Sequence, residues 1–331
     1  MPVAFDVDFN AMVSPVPRAF TSFSVVAIFA LAQAACSSHP EEITETDHSP
    51  DTGASGFCRS TTCQPPRDYP TPGGLCEPLD WADSDVCVHD KKASNAPLWW
   101  RTGCVGYALQ RAASHAISFD VFSGAVEAAF TTWVGASCPS TDKLVSRASI
   151  DARDLGAVSC TSAGYDREGP NENLIVFRDD VWPYEQRDRD ESGLPKSPTV
   201  ALTTVTFDPQ TGEILDVDLE LNSADYAIVP VDDTNRDAPG TYDLQAVLTH
   251  ELGHFFGLAH SPLRDAVMYK SGDSTAGAKK RRLTQEDVRG ICTIYPPDGT
   301  RSVSTLLDAS GRIAASGCDP TPRHGFKGTC L

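Results

Sequence analysis

The sequence predicts an α+β protein, on three observations. Val200–Phe207, VALTTVTF, is rich in β-branched residues. After the turn DPQTG, Leu215, Val217, Leu219 and Leu221 alternate with Asp216, Asp218 and Glu220, which completes a hairpin pattern. Phe122, Val126, Ala129 and Trp133 recur at spacings of four, three and four, one face of a helix packed on a core. Finally, Thr249–Pro262, THELGHFFGLAHSP, concentrates three of the chain's eight histidines at spacings of four and then six.

The 331 residues suffice for a sizeable core. A net charge of −18 argues against nucleic acid, because phosphate contacts need a basic surface. The acidity reads first as solubility and second as Ca2+ held by carboxylates in loops.

The N-terminus reads as a leader, residues 1–36. Phe20–Leu31, FTSFSVVAIFAL, follows Arg18 and has the length of a signal-peptide apolar region. It falls short of the ~20 residues of a membrane span. Two processing sites compete: Ala32 and Ala34 fit ordinary cleavage, while Cys36 in AQAACSS resembles the lipid-modified cysteine of a bacterial lipoprotein. The chain has eleven cysteines, an odd number. Lipidation of Cys36 leaves an even set that can pair as disulfides in an oxidising compartment. The expectation is an exported protein, a cell-envelope lipoprotein or a secreted one, that meets membrane only through a lipid on Cys36.

Residues 37–57 are polar and acidic and read as a disordered tether. Residues 58–97, rich in cysteine and proline, read as a disulfide-stapled segment. LWWRTGCVGYAL opens the core-forming domain, 98–297, as its first strand. The helix of Phe122 and the hairpin follow. The hairpin's second strand is expected to bury its Leu/Val face and wet its acidic face. The next helix starts near Thr241 or Asp243, either of which can cap it, and stops at Gly257. In LTQEDVRGICTIY, Thr284 and Asp287 make a short capping box for the last helix. The basic run Lys279–Arg282 reads as a solvated charge cluster. Residues 298–331 form a stapled extension carrying Cys318 and Cys330.

His250 and His254, four apart, lie on one helix face and can grip one ion. The third ligand cannot come from the same helix face. Gly257 allows the turn, because glycine enters the left-handed region without steric penalty, and His260 swings back. Three histidines suit Zn2+ and leave one coordination position open, the mark of a catalytic site. Glu251 follows the first ligand and can act as general base on a water there.

HELGHFFGLAH followed by AVMYKS resembles the metzincin zinc peptidases, and YDLQAVLTHELGHFFGLAHS with LTQEDVRGICTIY resembles their matrixin-like bacterial branch. The resemblance implies a metzincin-type zincin fold. A twisted mixed sheet and two long helices lie above a cleft, and a Met-turn and C-terminal helix lie below it. It implies an endopeptidase acting on protein or peptide substrates with one catalytic Zn2+; the chain is expected to be a monomer. Met268 is then the apolar floor under the metal, and Tyr269 lines the pocket. Substrate adds as a strand on the edge at Ala201, Leu202 and Thr203. Three features depart from animal matrixins. No histidine lies between His115 and His250 for a second zinc, no cysteine-switch motif is present, and Lys270 stands where proline is usual. The reading from another class is a lipid-anchored adhesion protein that keeps zinc without turnover.

Overall fold

The computed structural model describes residues 2–6, 57–60, 96–139, 146–184, 199–231, 241–261, 263–269, 279–304 and 306–328. The segment read as the apolar run of a leader, Cys36, the segment read as a tether up to Gly56 and residues 61–95 lie outside the described residues. In chain order the strands and helices are β1 (Pro2–Asp6), β2 (Cys58–Arg59), β3 (Cys104–Gln110), α1 (Phe119–Val134), β4 (Ser137–Cys138), β5 (Ser146–Arg147), β6 (Asp151–Val158), β7 (Leu174–Phe177), β8 (Ala201–Phe207) and β9 (Ile214–Leu221). There follow β10 (Ala227–Val229), β11 (Thr241–Asp243), α2 (Leu244–Phe255), β12 (Leu258–Ala259) and α3 (Gln285–Ile294). Among the described residues no helix is long and apolar enough to cross a membrane.

The main sheet is mixed, ordered β1-β8-β9-β7-β3-β6. β9, β7, β3 and β6 run parallel, and β8 is antiparallel to both its neighbours. The hairpin β8–β9 closes as its sequence demands. Asp208 Oδ1 accepts from the amides of Gln210 and Thr211 at 2.9 Å each, and Gly212 takes φ +72°. Thr203 sits opposite Leu219 on one side and Phe5 of β1 on the other.

The Ser118 side chain caps α1. Its stripe Phe122, Val126, Ala129 and Trp133 is fully buried, as the spacing predicted. Phe130 stacks on Tyr107 of β3 and meets Phe255 and Phe256 edge-on, so helix α1 joins the sheet to the end of α2. Trp133 Nε1 donates to Thr249 O at 2.7 Å, which fixes α1 against α2 midway along its length.

Three sequence expectations change. The first strand spans only Cys104–Gln110. Leu98 and Trp100 instead plug the core beside α2, with Trp100 Nε1 donating to Phe255 O at 2.8 Å. The acidic face of β9 is dry: Asp216, Asp218 and Glu220 are all buried. β9 is an interior strand, and the chain between Gly164 and Tyr184 covers its polar face. Asp218 accepts from the amides of Leu174 and Gly164. Glu220 takes Arg178 and the Tyr184 hydroxyl. Burial pushes the Asp216 carboxyl up, with Asp218 adding to the effect. Burial pushes Asp218 up to about 7 against its two amide donors. The basic run is partly committed as well: Arg281 pairs with buried Asp243 at 2.6 Å, and Lys280 serves the site described below.

The described part of the C-terminal extension is bound to the domain. Arg301 donates to the carbonyls of Ser149, Trp100 and Thr102 at 2.5–2.9 Å and lies over the Tyr295 ring. Arg312 pairs with buried Asp151 at 2.6 Å, and Cys318 is disulfide-bonded to Cys104. A second disulfide joins Cys138 to Cys292, and Cys160 is also oxidised.

Candidate metal centre

Asp243 caps α2, accepting from the amides of Gln245 and Ala246 at 3.1 and 3.4 Å. The helix runs to Phe255, and Gly257 at φ +91° reverses the chain. A Cβ on Gly257 would stand 2.6 Å from Leu98 O, so the turn needs glycine for space as well as for conformation. The returning segment is held by β12, which pairs antiparallel with β2. His260 follows at once.

The three histidines converge: one ring nitrogen from each lies within 4.8 Å of the others, and His254 Nε2 is 3.2 Å from His260 Nε2. Among the described residues this is the group of histidine, cysteine and carboxylate side chains close enough to share an ion. Backbone carbonyls set the tautomers. His250 Nδ1 lies 2.7 Å from Val267 O, and His254 Nδ1 lies 2.8 Å from Leu258 O. A carbonyl only accepts, so each Nδ1 carries the proton and each Nε2 presents its lone pair to the cluster. His250 Nε2 is buried and has no hydrogen-bond partner. A buried acceptor without a donor is costly, and a cation at the centre removes that cost. Burial pushes His250 down to about 4, outweighing its bond to Val267; burial and then His250 push His254 down as well. Neutral imidazoles with converging lone pairs are the donor set Zn2+ takes.

Glu251 is buried, and its Oε2 is 2.5 Å from Thr203 Oγ1 on β8. Ala201 belongs to the apolar core, and Leu202 is buried.

Met268 is buried against α2. A Cβ on Gly253 would fall 2.0 Å from Met268 Sδ, so the sulfur packs directly on the helix backbone between the two histidine positions. Three contacts hold this turn. The Asp287 carboxylate accepts from the amides of Val267 and Met268 at 2.9 and 3.3 Å while also taking the Thr284 amide in the capping box of α3. Lys280 Nζ donates to Arg264 O and Ala266 O and sits 5.7 Å from the Tyr269 ring. The Ser261 amide donates to Met268 O at 2.6 Å. Val267, held by Asp287, is the residue whose carbonyl fixes His250.

Sequence reasoning missed Gly253, Lys280, the second task of Asp287 and the Thr203–Glu251 contact. For Asp287 a signal was present: the capping box was legible, but its partners 19 and 20 residues upstream carry no local pattern.

Residues 174–296 match the matrixin family. The chain is 34% identical over 121 residues to metalloendoproteinase 1-MMP of Arabidopsis thaliana, covering 37% of this chain and 31% of that protein. It is 30% identical over 115 residues to metalloendoproteinase 4-MMP of the same plant, covering 35% and 31%. It is 44% identical over 62 residues to stromelysin-1 of Equus caballus, covering 19% and 13%. The chain thus spans about a third or less of the length of the curated relatives it matches. The match takes in β7 to α3, the stretch in which the mixed sheet, the histidine helix and the Met268 turn come together, and on that stretch the chain is similar to the matrixins.

Proposed function

We propose that the protein is an exported zinc endopeptidase that cleaves extracellular or envelope proteins. The observation that carries this is the convergence of three imidazoles, His250, His254 and His260, beside a buried carboxylate, Glu251, which follows His250 directly. His250, His254 and His260 would hold the ion, and bound Zn2+ would polarise the scissile carbonyl and acidify a water. Glu251 takes the water's proton and passes it to the leaving amine. Met268 keeps the floor apolar; β8 is not an edge in the structure, because β1 pairs with it along Leu202–Thr206, so an extended peptide would add to β8 in the place that Pro2–Asp6 occupies. Cys36 lipidation would hold the enzyme at the envelope.

The test is hydrolysis of casein by the purified mature protein, with and without a chelator. Activity should vanish with the chelator and return with zinc at one ion per chain. Glu251→Ala should keep the zinc and lose about 10²-fold or more in turnover. His250→Ala, His254→Ala and His260→Ala should lose both. A folded, zinc-loaded wild type inert on casein and on a library of unfolded peptides would favour the adhesion protein that holds zinc without turnover.

A further inference from the structure

We infer that Thr203 is a positioning residue for Glu251. The inference rests on the endopeptidase reading for its kinetic consequence, but its geometry stands apart from it. On β8 the residues that share Thr203's face are Ala201, Val205 and Phe207, and all three belong to the apolar core. Thr203 is equally buried, yet it carries a hydroxyl. A valine would fill the same space without a polar atom to satisfy, so packing alone does not call for threonine there.

The hydroxyl has a specific use: Oγ1 is 2.5 Å from Glu251 Oε2. The Thr203 hydroxyl is the donor and the carboxylate oxygen the acceptor. It crosses between two elements, from the interior of a strand to the middle of the histidine helix. The strand end is rigid. β8 is hydrogen-bonded to β9, with Thr203 opposite Leu219, and the β-branched side chain has few rotamers. The carboxylate is thereby pinned at one oxygen by a donor fixed in the sheet. A general base must sit within hydrogen-bond reach of the proton it removes, and a flexible glutamate side chain left untethered spends part of its time elsewhere. The strand that the resemblance gives to substrate therefore also sets the orientation of the base, so the base and β8 keep one fixed relation.

Two substitutions separate this role from packing. Thr203→Val keeps the shape and removes the donor; Thr203→Ser keeps the donor and removes a methyl. Each variant is loaded with zinc, its metal content and thermal midpoint are checked, and its crystal structure is solved. In the wild type and Thr203→Ser the Glu251 carboxylate should lie within hydrogen-bonding distance of residue 203. In Thr203→Val it should turn away or occupy more than one position. On a peptide substrate Thr203→Val should lose about tenfold in kcat with KM within twofold, and Thr203→Ser should recover most of the loss. An unmoved Glu251 carboxylate in Thr203→Val, or a kcat equal to wild type, overturns the inference. So does a Thr203→Ser as impaired as Thr203→Val. Should the zinc-loaded wild type hydrolyse nothing, the crystal structures still decide whether Thr203 holds Glu251, and only the endopeptidase reading falls.

Discussion

Gly253 shows how much a missing side chain decides at this site. It lies between the two helical histidines with Met268 against its backbone, and Trp133 Cζ2 is also 3.0 Å from where a Cβ would stand. Alanine is the better helix former by about 1 kcal/mol, so on an open helix Gly253→Ala would stabilise. Here the added methyl meets a buried sulfur, and overpacking of this kind costs about 1–3 kcal/mol. The expected balance is a net loss of ~1–2 kcal/mol, read from urea unfolding of the zinc-free protein. A variant as stable as wild type would show that Met268 moves aside freely and is no fixed floor. From the sequence the histidines, Glu251 and Met268 stand out because metal chemistry leaves fixed spacings. Gly253 and Thr203 do not, because their reasons lie across the fold, in a turn 15 residues on and a helix 48 residues on respectively.

At the scale of elements, local patterns foretold those structures whose causes are local. The α1 stripe, the hairpin turn and the Thr284 capping box each follow from near neighbours in sequence. β9 failed on one point, because strict alternation does not tell a wet polar face from one buried under a distant segment. The correction has a measurable consequence. Asp218 sits near 7 in the folded protein, above the usual carboxylate range. A carboxyl so raised favours folding below its unfolded value, about 3.9, and that contribution is lost as pH rises through the folded one. Asp218→Asn does not titrate. The stability of wild type relative to Asp218→Asn should therefore decline between about pH 4 and pH 7 in urea titrations. A constant gap across that range would mean that the β9 acid row is solvated after all.

For the whole molecule, the described residues are tied across long sequence distances. Cys104–Cys318 spans 214 residues and fastens the C-terminal extension to β3. Cys138–Cys292 spans 154 and fastens α3 beneath the end of α1. Replacing Cys138 and Cys292 together by alanine should cost about 2–4 kcal/mol in urea unfolding, the usual scale for closing a long loop. A loss well under 1 kcal/mol would show that the surrounding core already fixes α3. The carboxylate of Asp287 gives that helix a further meaning. Because it holds the first turn of α3 and the amides of Val267 and Met268 at once, the helix cannot fray without freeing the carbonyl that orients His250. Helix end and metal floor should then open as one cooperative unit. In hydrogen–deuterium exchange the Val267 and Met268 amides should exchange at the same rate as the α3 amides in wild type, and faster than them in Asp287→Ala, so that the lifetime of the metal site is written in the opening rate of a helix that never touches the ion.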